Sequence, residues 1–213
     1  MGEVLKLYEH ASSGNCLKCR ILLRQLDRPY ESVTVDLFTG ETRTREHFAR
    51  NPDGRIPVLE TDAGETIPES GAILLYLAEG TPLLPAGGIE RARVHQWMFF
   101  EQNRIEADLS VARFWKLAGR DTQLAGPFDN RLERGRDALA ALDRGLARSA
   151  FAAGDAYTVA DIALYGYVHC GADAGADPRE HPHVAAWLDR VEATPGFVND
   201  LEPFPAHAAQ RPI

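Results

Sequence analysis

Apolar residues recur along this chain with two different periods, and the change from one to the other divides it. Residues 4–8 alternate as a short strand, the polar turn Ala11-Ser-Ser-Gly-Asn15 follows, and Leu17, Ile21, Leu22 and Leu26 then return at helical spacing. Residues 30–37 read as a second strand, so the chain opens β-α-β, with its strands parallel and joined by a right-handed crossover. The arginine-rich stretch 39–50 fits a short amphipathic helix that Asn51-Pro-Asp-Gly54 breaks. A strand over 56–60 turns at Asp62-Ala-Gly64 into Thr66-Ile67, its hairpin partner. Glu69-Ser70-Gly71 then opens a helix over 72–79, with Ser70 as the expected N-cap. The order β-α-β-α-β-β-α implies a mixed sheet.

The Pro- and Gly-rich run Gly80-Thr-Pro-Leu-Leu-Pro-Ala-Gly-Gly88 differs in composition from both flanks, as a linker does. Every later element has the helical period: 91–118 through Val94, Trp97, Met98, Phe100, Ile105 and Leu109, then 130–147, 159–168 and 184–191. The expected organisation is a sheet-containing domain over 1–80, a linker over 81–90 and an all-α domain over 91–213.

Composition narrows the functional classes. Hydrophobic residues at 45% and charged residues at 25% supply ordinary cores and exclude a disordered chain. The net charge is -8 and the arginines alternate with acids, so no basic stripe for nucleic acid forms. No apolar run reaches the roughly 18 residues that cross a bilayer, and the start lacks a secretory pattern, so no membrane partner is expected. Three cysteines, two of them three residues apart, make no disulfide framework and fit a reducing, cytoplasmic compartment. The seven histidines, His169 beside Cys170 included, show no metal-ligand spacing, and no metal is expected.

Three motifs carry a more specific message: Ser13-Gly-Asn-Cys-Leu-Lys-Cys-Arg20 after the first strand, Gly54-Arg-Ile-Pro-Val-Leu59, and Pro68-Glu-Ser-Gly-Ala-Ile73. Together, and followed by a helical domain, they resemble the glutathione-transferase superfamily, with its thioredoxin-like N-terminal domain. The resemblance implies glutathione as co-substrate, bound as a peptide along Ile56-Pro57 beside Arg55, with a cis Pro57 exposing the backbone of Ile56. It implies Ser70 and the helix N-terminus for the γ-glutamyl carboxylate, Glu69 for the amino group, and Arg43 for the glycine carboxylate.

For the sulfur, the register implied by the family favours Ser13, while Asn15 and Cys16 stay open as alternatives. Cys16-Leu-Lys-Cys19 is a C-x-x-C sequence, which near a β-α-β pattern points to thiol–disulfide exchange. The glutaredoxin-like attacking position, however, aligns with the hydroxyl of Ser13. Cys16 can still form a mixed disulfide if it is exposed at the helix N-terminus, whereas Cys19 is expected to be packing.

In the second domain, Thr158-Val-Ala-Asp161 before Ile162 is a capping motif, with Tyr157 and Ile162 as its staple. Phe114 and Trp115 are the candidates for an apolar second-substrate pocket between domains, the remaining aromatics being core or interface. The implied activity is conjugation of glutathione thiolate to an apolar electrophilic small molecule in detoxification, by a homodimer. A glutathione-dependent oxidoreductase, peroxidase or isomerase using Asn15 or Cys16, and a non-catalytic glutathione-binding protein, are the alternatives.

Overall fold

The computed structural model describes residues 4–210, and the chain divides into two units: one runs to Glu79 and takes in the chain from Pro195 onward, the other is Gly80–Thr194. In the first unit the elements follow as β1 (Leu5–Glu9), α1 (Gly14–Gln25), β2 (Tyr30–Thr34), α2 (Arg45–Arg50), β3 (Val58–Glu60), β4 (Thr66–Pro68) and α3 (Ser70–Ala78), with a 3-10 turn at Glu41–Arg43. The sheet order is β2-β1-β3-β4. β1 runs parallel to β2 and antiparallel to β3, and β4 returns antiparallel on β3. This is the mixed sheet expected from the order of elements, in the thioredoxin-like arrangement that the resemblance implies.

Register puts Tyr8 opposite both Val33 and Val58, so these three share one sheet face, where they form an apolar cluster with Val35 and Ile56. Leu5, Leu7 and Leu59 alternate to the opposite face and are wholly buried there, beneath the paired helices α1 and α3. Leu17, Ile21, Leu22, Ile73 and Leu74 are also buried without remainder, each stabilising the fold by about 1.5–3 kcal/mol.

The C-terminal segment departs from the sequence expectation, which placed everything to residue 213 in the helical domain. From Pro195 the chain belongs to the first unit. Asp200 pairs with Arg20 at 2.7 Å, Glu202 N–H donates to Ala11 O at 3.1 Å, Phe204 meets the Phe38 ring edge-on, and His207 lies 2.9 Å from Asp36. Scattered polar and aromatic residues with no helical period carry this docking, which is why periodicity could not reveal it.

The second unit is helical: α4 (Gly88–Phe100), a π-helical stretch (Glu101–Ser110), α5 (Val111–Leu117), α6 (Ala125–Leu146), α7 (Val159–Val168) and α8 (Pro182–Glu192). Residues 88–117 form one rod, because the residues at both junctions keep right-handed helical dihedrals. In its widened middle, Asp108 is fully buried between Arg131 and Arg134 of α6, at 2.8 and 3.0 Å. The α6–α4 approach requires Gly145, since a Cβ there would lie 2.6 Å from the Trp97 ring. The run expected to be only a linker also anchors α7, for Leu83 O accepts from Val159 N–H at 3.0 Å. No helix among the described residues is long and apolar enough to cross a membrane.

Candidate functional site

The loop after β1 delivers the first group. Ser13 N–H donates to His10 O at 3.0 Å, closing a turn that leaves Ser13 extended (φ -88°, ψ 120°) as the N-cap of α1. Its Oγ accepts from Cys16 N–H at 3.3 Å, satisfying one of the free donors at the helix start. The half-buried hydroxyl is a donor as well as an acceptor, and its pull on the buried Cys16 thiol shows it within reach of a sulfur. Ser13 thus sits at the positive end of α1, whose first turn contains no acid.

Cys16 does not fit the role of an attacking thiol. It lies on the inner side of the first turn, fully buried, and burial pushes its thiol up to about 12 against the opposing pull of hydrogen bonds to Ser13 and His10. The exposure that a mixed disulfide requires is missing. Cys19, also fully buried, has its thiol pushed well up by the same cause and is a packing residue, as expected.

Asn15, between Ser13 and Cys16, joins the start of α1 to the start of α3. Its Oδ1 accepts from Lys18 Nζ at 2.7 Å and from Ser70 Oγ at 3.3 Å. Ser70 is the first residue of α3, not its cap. The capping position belongs to Glu69, whose backbone has φ 71° and ψ 113° and whose side chain makes no capping bond. A non-glycine residue held there stores about 1–3 kcal/mol, which marks functional sites more often than ordinary turns. The sequence reading of Ser70 as N-cap is therefore corrected by one position, and the hydroxyl is directed at Asn15 instead.

The third group is the Ile56–Pro57 peptide, which is cis, in line with the sequence expectation. It is held from behind: Arg55 O accepts from His47 Nε2 and from Asn51 Nδ2, both at 2.9 Å. Gly54 (φ 65°) is hemmed in by Thr42 O, Phe48 and Arg43 Nη1, so any side chain there would collide. Pro57 is buried and Ile56 half-buried; within the described residues the backbone N–H and C=O of Ile56 are in no internal hydrogen bond. His47 and Asn51 were missed in the sequence, although Asn51 was visible as a helix breaker.

Arg43 is exposed in the 3-10 turn, where Nη1 donates to Asp53 O at 3.1 Å. Arg55 is exposed too and pairs with Asp53 at 2.6 Å. Phe114 and Trp115 lie half-buried on α5 in the second unit, with the Arg120 guanidinium 5.4 Å from the Phe114 ring centroid. Elsewhere in the first unit a cavity of about 430 Å³ opens against the Tyr8 face of the sheet, lined by Tyr8, Val33, Val35, His47 and Arg50 among others. It includes none of Ser13, Asn15, Ile56 or Ser70. Among the described residues no group of three or more His, Cys, Asp or Glu is placed to hold a metal ion.

Residues 3–79 match the family model described as glutathione S-transferase, N-terminal domain, and residues 110–195 match glutathione S-transferase, C-terminal domain. Maleylacetoacetate isomerase of Rhizobium meliloti (strain 1021) is 36% identical over 182 residues, 79% of this chain and 82% of that protein. Among solved structures, a glutathione S-transferase from Pseudomonas fluorescens Pf-5 has a TM-score of 0.91 at 39% identity, covering 93% of this chain and all of that one. A glutathione transferase family member from the same organism, with two glutathione bound, has a TM-score of 0.81 at 27% identity and covers 93% of this chain and 92% of that one.

Proposed function

The chain belongs to the glutathione S-transferase family, and we propose that it binds glutathione in the first unit, ionises the thiol, and conjugates the sulfur to an apolar electrophilic small molecule. The observation that carries this reading is the meeting of Ser70 Oγ and Asn15 Oδ1 at 3.3 Å across 55 positions of sequence. It joins the start of α3, suited to a carboxylate, to the start of α1, suited to a thiolate. A relative with glutathione bound, quoted above, supports the choice of ligand.

In this reading the cysteinyl backbone of glutathione pairs with the N–H and C=O of Ile56 as an added strand. The γ-glutamyl carboxylate takes Ser70 and the free N–H groups of α3, Glu69 takes the amino group, and Arg43, with Arg55 beside it, faces the glycine carboxylate. Ser13 donates its hydroxyl proton to the sulfur.

A free thiol has a pKa of about 8.5, and lowering it by about two units takes about 2.7 kcal/mol of preference for thiolate. One hydrogen bond to a charged group supplies about 1.5–3 kcal/mol, and a helix N-terminus about 0.3–1 more. The thiol proton leaves to solvent, and the sulfur lone pair forms the bond to the electrophilic carbon as either a leaving group departs with its bonding pair or a conjugated π bond opens and its carbanion takes a proton from solvent. Phe114 and Trp115 are proposed for the electrophile's apolar side, and a cytoplasmic homodimer acting in detoxification as the working form.

A second reading keeps the same thiolate and changes its acceptor. The relative named maleylacetoacetate isomerase, at 36% identity, favours an acceptor that is rearranged while glutathione is released unchanged. Ultraviolet titration of bound glutathione tests what both readings share: thiolate absorbance should appear near neutral pH in the native protein and retreat in Ser13→Ala. Glutathione bound without any thiolate would leave only a binding protein. A stable thioether product then supports conjugation, and turnover without loss of glutathione supports isomerisation.

A further inference from the structure

Lys18 is the least expected residue of the first unit. It is 1% exposed, among the largest fully buried side chains of the described chain, and burying an ammonium is unfavourable unless something specific holds it. It also sits early in α1, where the helix dipole opposes a cation. A leucine or methionine at this position would satisfy packing. What the lysine adds is a donor: Nζ reaches Asn15 Oδ1 at 2.7 Å, three residues back on the same helical face.

We propose that Lys18 is a positioning residue for the glutathione thiol, acting through Asn15. This rests on the reading of the site given above. With both Lys18 Nζ and Ser70 Oγ donating to it, Asn15 Oδ1 is fixed toward the α1–α3 seam, and the amide NH2 must take the other direction. When glutathione binds and the Ser70 hydroxyl turns to the γ-glutamyl carboxylate, Asn15 loses that donor. Lys18 remains, and it keeps the amide from rotating and presenting its oxygen to the sulfur. An amide oxygen there would repel thiolate, whereas the NH2 supports it alongside Ser13.

The experiment is ultraviolet titration of the bound thiol, at saturating glutathione, in the native protein, Lys18→Met, Lys18→Arg, Asn15→Ala and the Lys18→Met/Asn15→Ala double variant, with glutathione affinity measured separately. Lys18→Met should hold roughly tenfold less thiolate at neutral pH, as expected when one hydrogen bond to a charged group is lost, with affinity changed less than about threefold, because Ser70 and Ile56 still hold the peptide. Lys18→Arg should retain most of the thiolate. In the Asn15→Ala background the Lys18→Met change should cost less than about twofold, because the path is already cut.

A native-like thiolate fraction in Lys18→Met, or an undiminished further loss in the double variant, overturns the proposal. If Lys18→Met does not fold, Lys18→Gln replaces it in both backgrounds: a neutral donor should lose about threefold, and no loss is again refutation. If the native protein itself forms no thiolate, the reading of the site has failed, and this inference with it; native thiolate that is indifferent to Lys18 refutes the inference alone.

Discussion

Two helix starts in this protein are built to opposite plans. At α7 every donor is met from within: Thr158 N–H donates to Asp161 Oδ2 at 2.9 Å, Ala160 N–H to Thr158 Oγ1 at 3.3 Å, and Ala152 N–H and Trp187 Nε1 to Asp161 Oδ1 at 2.8 and 2.9 Å. Burial pushes the Asp161 carboxyl up, and these hydrogen bonds pull against it. At α3 the capping residue Glu69 offers no side-chain bond and holds a left-handed backbone, while Ser70 reaches away to Asn15. A closed start spends its polar groups on stability; an open one keeps them for a ligand. On the proposed function that difference distinguishes a folding motif from a binding motif, which residue type does not do, since Thr158-Asp161 and Glu69-Ser70 both read as caps in the sequence.

The largest effect should come from spoiling the closed start. Asp161→Ala removes the acceptor of four buried donors, Thr158 N–H and Oγ1–H, Ala152 N–H and Trp187 Nε1–H, and should destabilise the protein by about 3–5 kcal/mol in a denaturant melt, with glutathione affinity of the folded fraction unchanged. An affinity loss equal to the loss at Ser70→Ala would erase the distinction between the two starts. Ser13→Gly sharpens it at α1: glycine at an N-cap is only a few tenths of a kcal/mol worse than serine, yet the missing hydroxyl should reduce bound thiolate about tenfold or more. If stability and thiolate fall together, Ser13 is a cap and little else.

Glu69→Gly tests the open start from the opposite side. Relieving φ 71° should raise stability by up to about 1 kcal/mol, while glutathione binds more weakly without the carboxylate for its amino group. A destabilised variant would mean that Glu69 serves the fold. The smallest effect concerns Cys16. A thiol pushed up to about 12 is neutral at every pH well below that value, so iodoacetamide at pH 8 should label Cys16 only on unfolding. Rapid native labelling would return Cys16 to the list of active groups.

Much of this was readable in the residues where short-range rules suffice. The Thr158–Asp161 box spans three residues and forms as its spacing implies, although Trp187 and Ala152 as further partners of Asp161 were invisible, as was the edge-on contact of Tyr157 with the Phe151 ring. Helix α7 has the very limits its apolar run suggested, and α6 begins five residues early because Pro127 is tolerated in a first turn. Cys16 was ambiguous because one turn of helix decides whether a thiol faces water or the core, and composition does not record the direction.

The sequence by itself determined the order of elements, the mixed sheet and the hydrophobic faces, because each depends on periodicity along the chain; the cis Ile56–Pro57 peptide was expected from the resemblance of its motif and not from local chemistry. Only the tertiary structure decided that Ser70 turns to Asn15 and not to its own helix, that Lys18 is buried beneath them, and that the chain from Pro195 returns to the first unit. Those outcomes depend on how α1 and α3 pack and on polar contacts made up to 180 positions apart. A helical period states which side of an element is apolar, but not which polar group a distant element will bring to meet it.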